Sequence, residues 1–193
     1  MRRVINLSLL IVAIVFSNLA KASEVLSVEI LNSSMINVSL SNITKGEKLY
    51  LKDYNGEILF NATLDAMPAY QKYFNLSNVP DGVYFVETET VYEIKVTPVL
   101  KNKKGISLIK NSAVTVFKPV VKSKNKLVKI MLSNPEKSSV TIQIYDKEDI
   151  LLIEESSTDE VLKRVFDFST MPSETYRILF KQKERTFIKE VSI

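Results

Sequence analysis

Asp53, Asn55 and Glu57 put side-chain oxygens at alternate positions, the residue types that open a calcium loop. The remaining oxygens and the closing bidentate glutamate of such a loop are missing. Asn55-Gly56 between two apolar runs reads instead as a hairpin turn, since both residues tolerate positive φ. Acidic neighbours at Glu148-Asp149, Glu154-Glu155 and Asp159-Glu160 have the type of a glycosidase acid and base. Adjacent residues of a strand point to opposite faces, however, and no apolar surround is in view that would shift a carboxyl. Six of the eight tyrosines, Tyr50, Tyr54, Tyr70, Tyr73, Tyr84 and Tyr92, lie in the first half and would form a stacking platform if they shared a face. From Ile94 through Pro135 the chain holds ten lysines and no acid. Within that run Lys101, Lys103, Lys104, Lys122, Lys124 and Lys126 form the candidate patch for an anionic partner, the two trios expected to meet near the junction of the halves.

The residues that are absent narrow the chemistry further. The 193 residues include no His, no Cys and no Trp, and only 4 Gly. That removes histidine bases, serine triads, thiolate nucleophiles, sulfur-ligated metals and disulfides, and leaves little material for phosphate-cradling loops. No catalytic, cofactor-binding or metal-ligating residue is assigned, and no cofactor is expected.

Residues 1–22 have the build of a secretory signal peptide. Arg2 and Arg3 precede an apolar run from Leu7 to Phe16, broken only by Ser8, and Ala20-Lys21-Ala22 supplies small residues at the cleavage positions. The run is short for a span of roughly 20 residues. Cleavage takes three of the 26 basic residues and none of the 22 acidic ones, which leaves the two signs almost balanced. A near-neutral exported chain is a poor nucleic-acid binder, and no second apolar run is long enough to span a membrane after cleavage.

The elements that must position any site are set by an internal repeat. Leu49-Tyr50-Leu51-Lys52-Asp53 aligns with Ile142-Gln143-Ile144-Tyr145-Asp146, Phe74-Asn75-Leu76-Ser77 with Phe166-Asp167-Phe168-Ser169, and Val79-Pro80 and Tyr84 with Met171-Pro172 and Tyr176. The offset is 92 or 93 positions throughout. Within each copy apolar residues alternate with polar ones, the period of half-buried strands, and turn residues recur between them. Helical periodicity is weak, with Ser157 to Arg164 as the one stretch that could form a helical turn. This pattern predicts an all-β chain of two tandem antiparallel immunoglobulin-like β-sandwiches, residues 23–112 and 113–193, with Phe74, Tyr84, Phe166 and Tyr176 in their cores.

The run from Ile144-Tyr145-Asp146 through Phe166-Asp167-Phe168-Ser169, Met171-Pro172 and Tyr176 to Phe187–Ile193 resembles the secreted Ig-like β-sandwich modules of Bacteroidetes. It is more distantly similar to the C-terminal sorting domains of type IX secretion. The turn Pro80-Asp81-Gly82-Val83-Tyr84 carries the same likeness in the first copy. The resemblance implies fold and export, to the periplasm or the exterior, and no catalytic residue. The expected function is therefore a non-enzymatic exported module that contacts another protein, or an acidic polysaccharide or other cell-envelope component. Carbohydrate binding and a sorting-type role are the alternatives.

Overall fold

The computed structural model describes residues 25–183 and 185–193; the leader expected at 1–22 lies outside the described residues. Every regular element among them is a strand. The stretch Ser157 to Arg164, read as a candidate helical turn, is instead the end of one strand and the start of another. There Leu162, Arg164 and Phe166 turn inward while Val161, Lys163 and Val165 face water, a period of two that no helix satisfies.

The first copy contains β1 (Val25–Ile30), β2 (Met35–Ile43), β3 (Glu47–Asp53), β4 (Ile58–Leu64), β5 (Met67–Asn75), β6 (Gly82–Glu89) and β7 (Glu93–Asn102). After β8 (Gly105–Leu108) and β9 (Val114–Phe117), the second copy consists of β10 (Val120–Lys124), β11 (Leu127–Ser133), β12 (Val140–Tyr145), β13 (Leu151–Ser157), β14 (Val161–Asp167), β15 (Thr175–Gln182) and β16 (Arg185–Ser192). Strand order is β1-β2-β5 and β4-β3-β6-β7 in the first copy, and β10-β11-β14 and β13-β12-β15-β16 in the second. Each three-stranded sheet thus corresponds, strand for strand, to the other. So does each four-stranded set, and all pairings are antiparallel. This is an immunoglobulin-like sandwich arrangement.

The repeat extends to irregularities. The β3–β4 ladder slips between Leu51 and Lys52, and the β12–β13 ladder slips between Ile144 and Tyr145, 93 positions on. At the start of β6 the Tyr84 hydroxyl donates to the Pro80 carbonyl at 2.6 Å, and at the start of β15 the Tyr176 hydroxyl donates to the Pro172 carbonyl at 2.9 Å. Such a tyrosine corner ties a strand to the chain entering it. Burial raises the pKa of both phenols above the ordinary value of 10.0.

Two apolar clusters fill the sandwiches, one drawn from Val28 to Val99 and one from Val128 to Val191. Phe74, Tyr84 and Tyr176 are buried as the pattern requires. Phe166 is only half-buried, packed against the rim of its cluster. The reason lies in the covering residue. Phe74 meets Phe60 edge to face, with ring centroids 5.1 Å apart. At the position aligned with Phe60 the second copy has the smaller Ile153 and no ring to meet Phe166.

The hairpin expected at Asn55-Gly56 is present, with positive φ at one of the two residues. Of Asn55 and Gly56 only Gly56 has positive φ, at 86°, and the loop is Tyr54-Asn55-Gly56 closed by Asp53 and Glu57. That is a three-residue connection with glycine in the left-handed position, not a two-residue turn. In the second copy Asp149 holds the same place at φ 64°. A two-residue turn with positive φ at both positions occurs instead at Asn125-Lys126, between β10 and β11.

The passage from one copy to the other also departs from the division expected at 112/113. β8 pairs with Val99 to Asn102 of β7, and β9 pairs with Glu93 to Val96 of the same strand. The break between them falls at Thr97-Pro98, where proline has no N–H for a ladder. Val114–Phe117 therefore belongs by hydrogen bonding to the first six-stranded sheet. Lys118 anchors the chain as it leaves β9: its N–H donates to Tyr92 O at 2.7 Å, and its ammonium donates to Glu89 at 2.7 Å and Thr90 O at 2.9 Å.

Candidate functional site

Most of the carboxylates with the residue types of catalysis are taken up by structural partners. Asp53 accepts the Glu57 N–H at 2.8 Å, and Asp146 accepts the Ile150 N–H at 2.9 Å, so each caps its own hairpin. Glu154 and Glu155 point to opposite faces of β13: Glu154 accepts from Gln143, while Glu155 meets the Arg164 guanidinium at 2.6 Å. Arg164 also reaches Asp159 at 3.3 Å, and Asp149 pairs with Arg177 at 2.7 Å. Among the described residues no group of three or more acidic side chains is arranged to hold a metal ion.

Among the described residues two clefts stand out. One, of about 280 Å³, lies between β9 and the β11–β12 loop and is lined by Val114, Phe117, Asn134, Gln182 and Arg185 among others. Its buried Asn134 is fully engaged, donating to Ser138 O at 2.8 Å and Asp159 O at 3.1 Å and accepting from Gln182 at 2.9 Å. This network braces the end of the second sandwich. The other cleft, of about 270 Å³, is lined by Asp53, Tyr54, Glu57, Asp81 and Tyr84.

The tyrosines do not form a platform. Tyr54 lies in the β3–β4 loop, Tyr73 on the outside of β5 and Tyr92 in the β6–β7 turn, all exposed. Tyr84 is in the core. Among the described residues the close ring pairs are Phe60–Phe74 and Phe168–Tyr176, both within the sandwiches.

The candidate lysines divide into two places. Lys101, Lys103 and Lys104 belong to the β7–β8 hairpin, where Lys101 pairs with Asp81 at 3.0 Å. A Cβ on Gly105 would stand 3.2 Å from Ser33 of the β1–β2 turn, so this tip packs against the far end of the first sandwich. Lys101 is eight residues along β7 from Glu93, the partner of Phe117, about 26 Å at strand rise. Lys126 caps the β10–β11 turn, its ammonium 3.3 Å from Met171 O in the second sandwich. The contacts of the first trio therefore belong to the first sandwich, and those of Lys126 to the second; none joins the two trios. The hydrogen-bonded path of β7 leads the chain away from the first tip before β10 begins.

Lys122 and Lys124 find different company. The register of β10-β11-β14 builds an outer face of three rows: Val120–Met131–Lys163, Lys122–Lys129–Val165 and Lys124–Leu127–Asp167. Leu127, Met131 and Val165 are exposed on it at 36%, 47% and 60%. Val161, beyond the first row, is exposed as well. Lys122 stands directly opposite Lys129, a like-charge cross-strand pair that opposes folding. Among the described residues none of Lys122, Lys124, Lys129 and Lys163 has an acid within ion-pair distance. Asp167, the single acid of these rows, is turned to its own loop. It accepts the Ser169 N–H at 2.8 Å, which holds its carboxyl below the ordinary range. Lys129 lies within the ten-lysine run but outside the six-residue patch, and Lys163 lies outside the run altogether, because strand pairing chooses their neighbours.

The corresponding face of the first sandwich has other chemistry. Its rows are Ser27–Ser39–Gln71 and Glu29–Asn37–Tyr73, with Met35 beside Asn75. Asn37 donates to Ser39 at 3.3 Å and Gln71 donates to Ser39 at 3.5 Å.

Comparison with known proteins adds little to this geometry. No family model matches the chain, and no curated protein matches it. Among solved structures it is similar to a biofilm associated protein's BSP domain, at 8% identity and TM-score 0.30, over 87% of this chain and 29% of that one. It is similar also to the human OSCAR ligand-binding domain, at 7% identity and TM-score 0.27, over 88% of this chain and 97% of that one. The chain thus spans less than a third of the first structure's length, and likenesses this slight carry neither function nor partner across.

Proposed function

We propose that the chain is an exported, non-enzymatic interaction module that contacts a protein or an envelope component through the outer face of a sandwich. The observation that carries this reading is the contrast between the two three-stranded sheets. They share topology, register and most of their buried apolar residues, yet one outer face sets the single acid Glu29 among polar residues and Tyr73 while the other is basic and apolar. Core positions are set by packing, so divergence confined to outward positions is where recognition has room to act. The commitment of the acidic residues to caps and ion pairs supports the non-enzymatic part. Export through residues 1–22 and kinship with secreted Bacteroidetes modules belong to the same reading. Among the described residues no helix is long and apolar enough to cross a membrane.

The test is cross-linking of the purified chain in an envelope fraction of its source cell, with partners identified by mass spectrometry. The expected result is a partner, protein or lipid-borne, that is recovered by wild type and lost on substituting outward residues of one three-stranded sheet. Recovery of nothing, together with turnover of a glycoside, ester or peptide substrate, overturns it. A second reading, carbohydrate binding, rests on one observation. Ser39 and Gln71 present hydroxyl and amide groups beside exposed Tyr73, the chemistry that sugar hydroxyls and ring faces accept. A glycan array with wild type and Tyr73→Ala separates the two.

A further inference from the structure

We propose that the outer face of β10-β11-β14 docks the chain on an anionic lipid surface, an inference that names a partner for the module reading above and rests on it. Lys122 opposite Lys129, with Lys163 diagonal to it, places like charges where a sheet gains by opposite ones. The aligned row of the first sandwich, Glu29–Asn37–Tyr73, shows that the same skeleton does not require it. No ion pair offsets the repulsion, since none of these lysines has an acid within bonding distance among the described residues, and Asp167, the one anion of the rows, is bonded to Ser169. An external anion supplies what the fold omits.

The apolar members decide which anion. Met131, Leu127 and Val165 lie between the lysines and are 47%, 36% and 60% exposed. A soluble polyanion uses charge alone and leaves them in water. A lipid headgroup layer takes both, with phosphate at the ammonium groups and the apolar side chains entering the boundary beneath while the lysine stems extend along it. A second copy of the chain docked face to face on this sheet sets lysine against lysine and is disfavoured by its own symmetry. Neither cleft lies on this face, which presents a sheet rather than a groove.

The experiment exploits the absence of cysteine from the chain. Full-length protein with Val165→Cys carries an environment-sensitive fluorophore, and Ser39→Cys places the same label on the aligned sheet of the first sandwich. Each is titrated with vesicles of phosphatidylcholine containing one third phosphatidylglycerol, with pure phosphatidylcholine vesicles, and with heparin. The expected result is a blue shift at position 165 with the anionic vesicles only, weakened by salt, and none at position 39. Lys122→Gln and Lys129→Gln in the 165-labelled chain should each weaken binding about five-fold, at about 1 kcal/mol per lysine. Because the N-terminal segment is common to all these proteins, it cancels in the comparison. An unchanged label at 165, an equal response at 39, an equal response to neutral vesicles or to heparin, or indifference to the lysine substitutions overturns the inference. If label 165 stays silent while an envelope protein is still cross-linked, the lipid inference fails and the module reading stands.

Discussion

The two sandwiches agree at most of their enclosed apolar positions and differ most on the outer faces of their three-stranded sheets. Leu51 and Ile144, Val86 and Ile178, Leu76 and Phe168, Tyr84 and Tyr176 are buried in pairs at matching places. The outward rows Ser27–Ser39–Gln71 and Val120–Met131–Lys163 occupy matching places too and have nothing in common. A core at crystal-like density feels the loss of a single methylene, whereas an outward side chain answers only to water and to whatever docks there. The likeness of the cores is thus a statement about folding, and the contrast of the faces is a statement about use.

The largest expected effect tests how far the cores correspond. Phe74→Ala should cost about 3–5 kcal/mol in denaturant unfolding, because the ring is enclosed and loses its edge contact with Phe60. Phe166→Ala should cost about half as much, since that ring is left partly in water. Equal costs would break the comparison at its strongest point.

A second effect concerns the tyrosine corners. Tyr84→Phe removes a buried donor from Pro80 O and should cost about 1–2 kcal/mol, and Tyr176→Phe should move the unfolding midpoint in the same direction. The pH dependence comes from burial, which raises both phenols above their ordinary value of 10.0. A raised folded pKa means that this stability is whole below pH 10 and is lost as pH climbs through the folded value. Thermal melts between pH 9 and pH 11 should show that loss, and Tyr84→Phe should diminish it.

The hairpins offer a reciprocal exchange. Asp149→Gly relieves a left-handed aspartate and should raise stability by about 0.5–1 kcal/mol, since its exposed pair with Arg177 contributes little. Gly56→Asp should lower stability by a similar amount. The two changes should nearly cancel in the double variant, and a double that fails to cancel would show that the turns are not equivalent.

The smallest effect has the most to say about use. Lys129→Glu sets an acid opposite Lys122 and should raise stability by a few tenths of a kcal/mol. A measured loss would mean that the lysine serves the fold, and the contrast between the faces would lose its functional sense.

Part of the fold is legible in the residues alone. Alternation in β3, β6 and β12 marks strands and their inward residues, and the 92- or 93-residue offset aligns the tyrosine corners without knowledge of any pairing. The half-burial of Phe166 is not legible, because it depends on which side chains the other sheet sets against that position. Nor is the single positive φ at Gly56, since Asn-Gly suits two kinds of turn and strand register selects between them. The lysine patch rests on nearness in sequence, which is the wrong measure in a sheet: Lys101 stands beside Asp81, and Lys122 beside Lys129.

By itself the sequence determined an all-β chain, two aligned copies of one strand pattern and the residues their cores enclose, because alternation and turn chemistry act over a few residues at a time. Only the tertiary structure decided that β9 completes the edge of β7, that Lys163 joins Lys122 and Lys129 on one face, and that Asp167 turns away from them. Those outcomes depend on which distant strands pair and in what register. Register is fixed by the packing of the whole sandwich, where a slip of one residue would turn every inward side chain out.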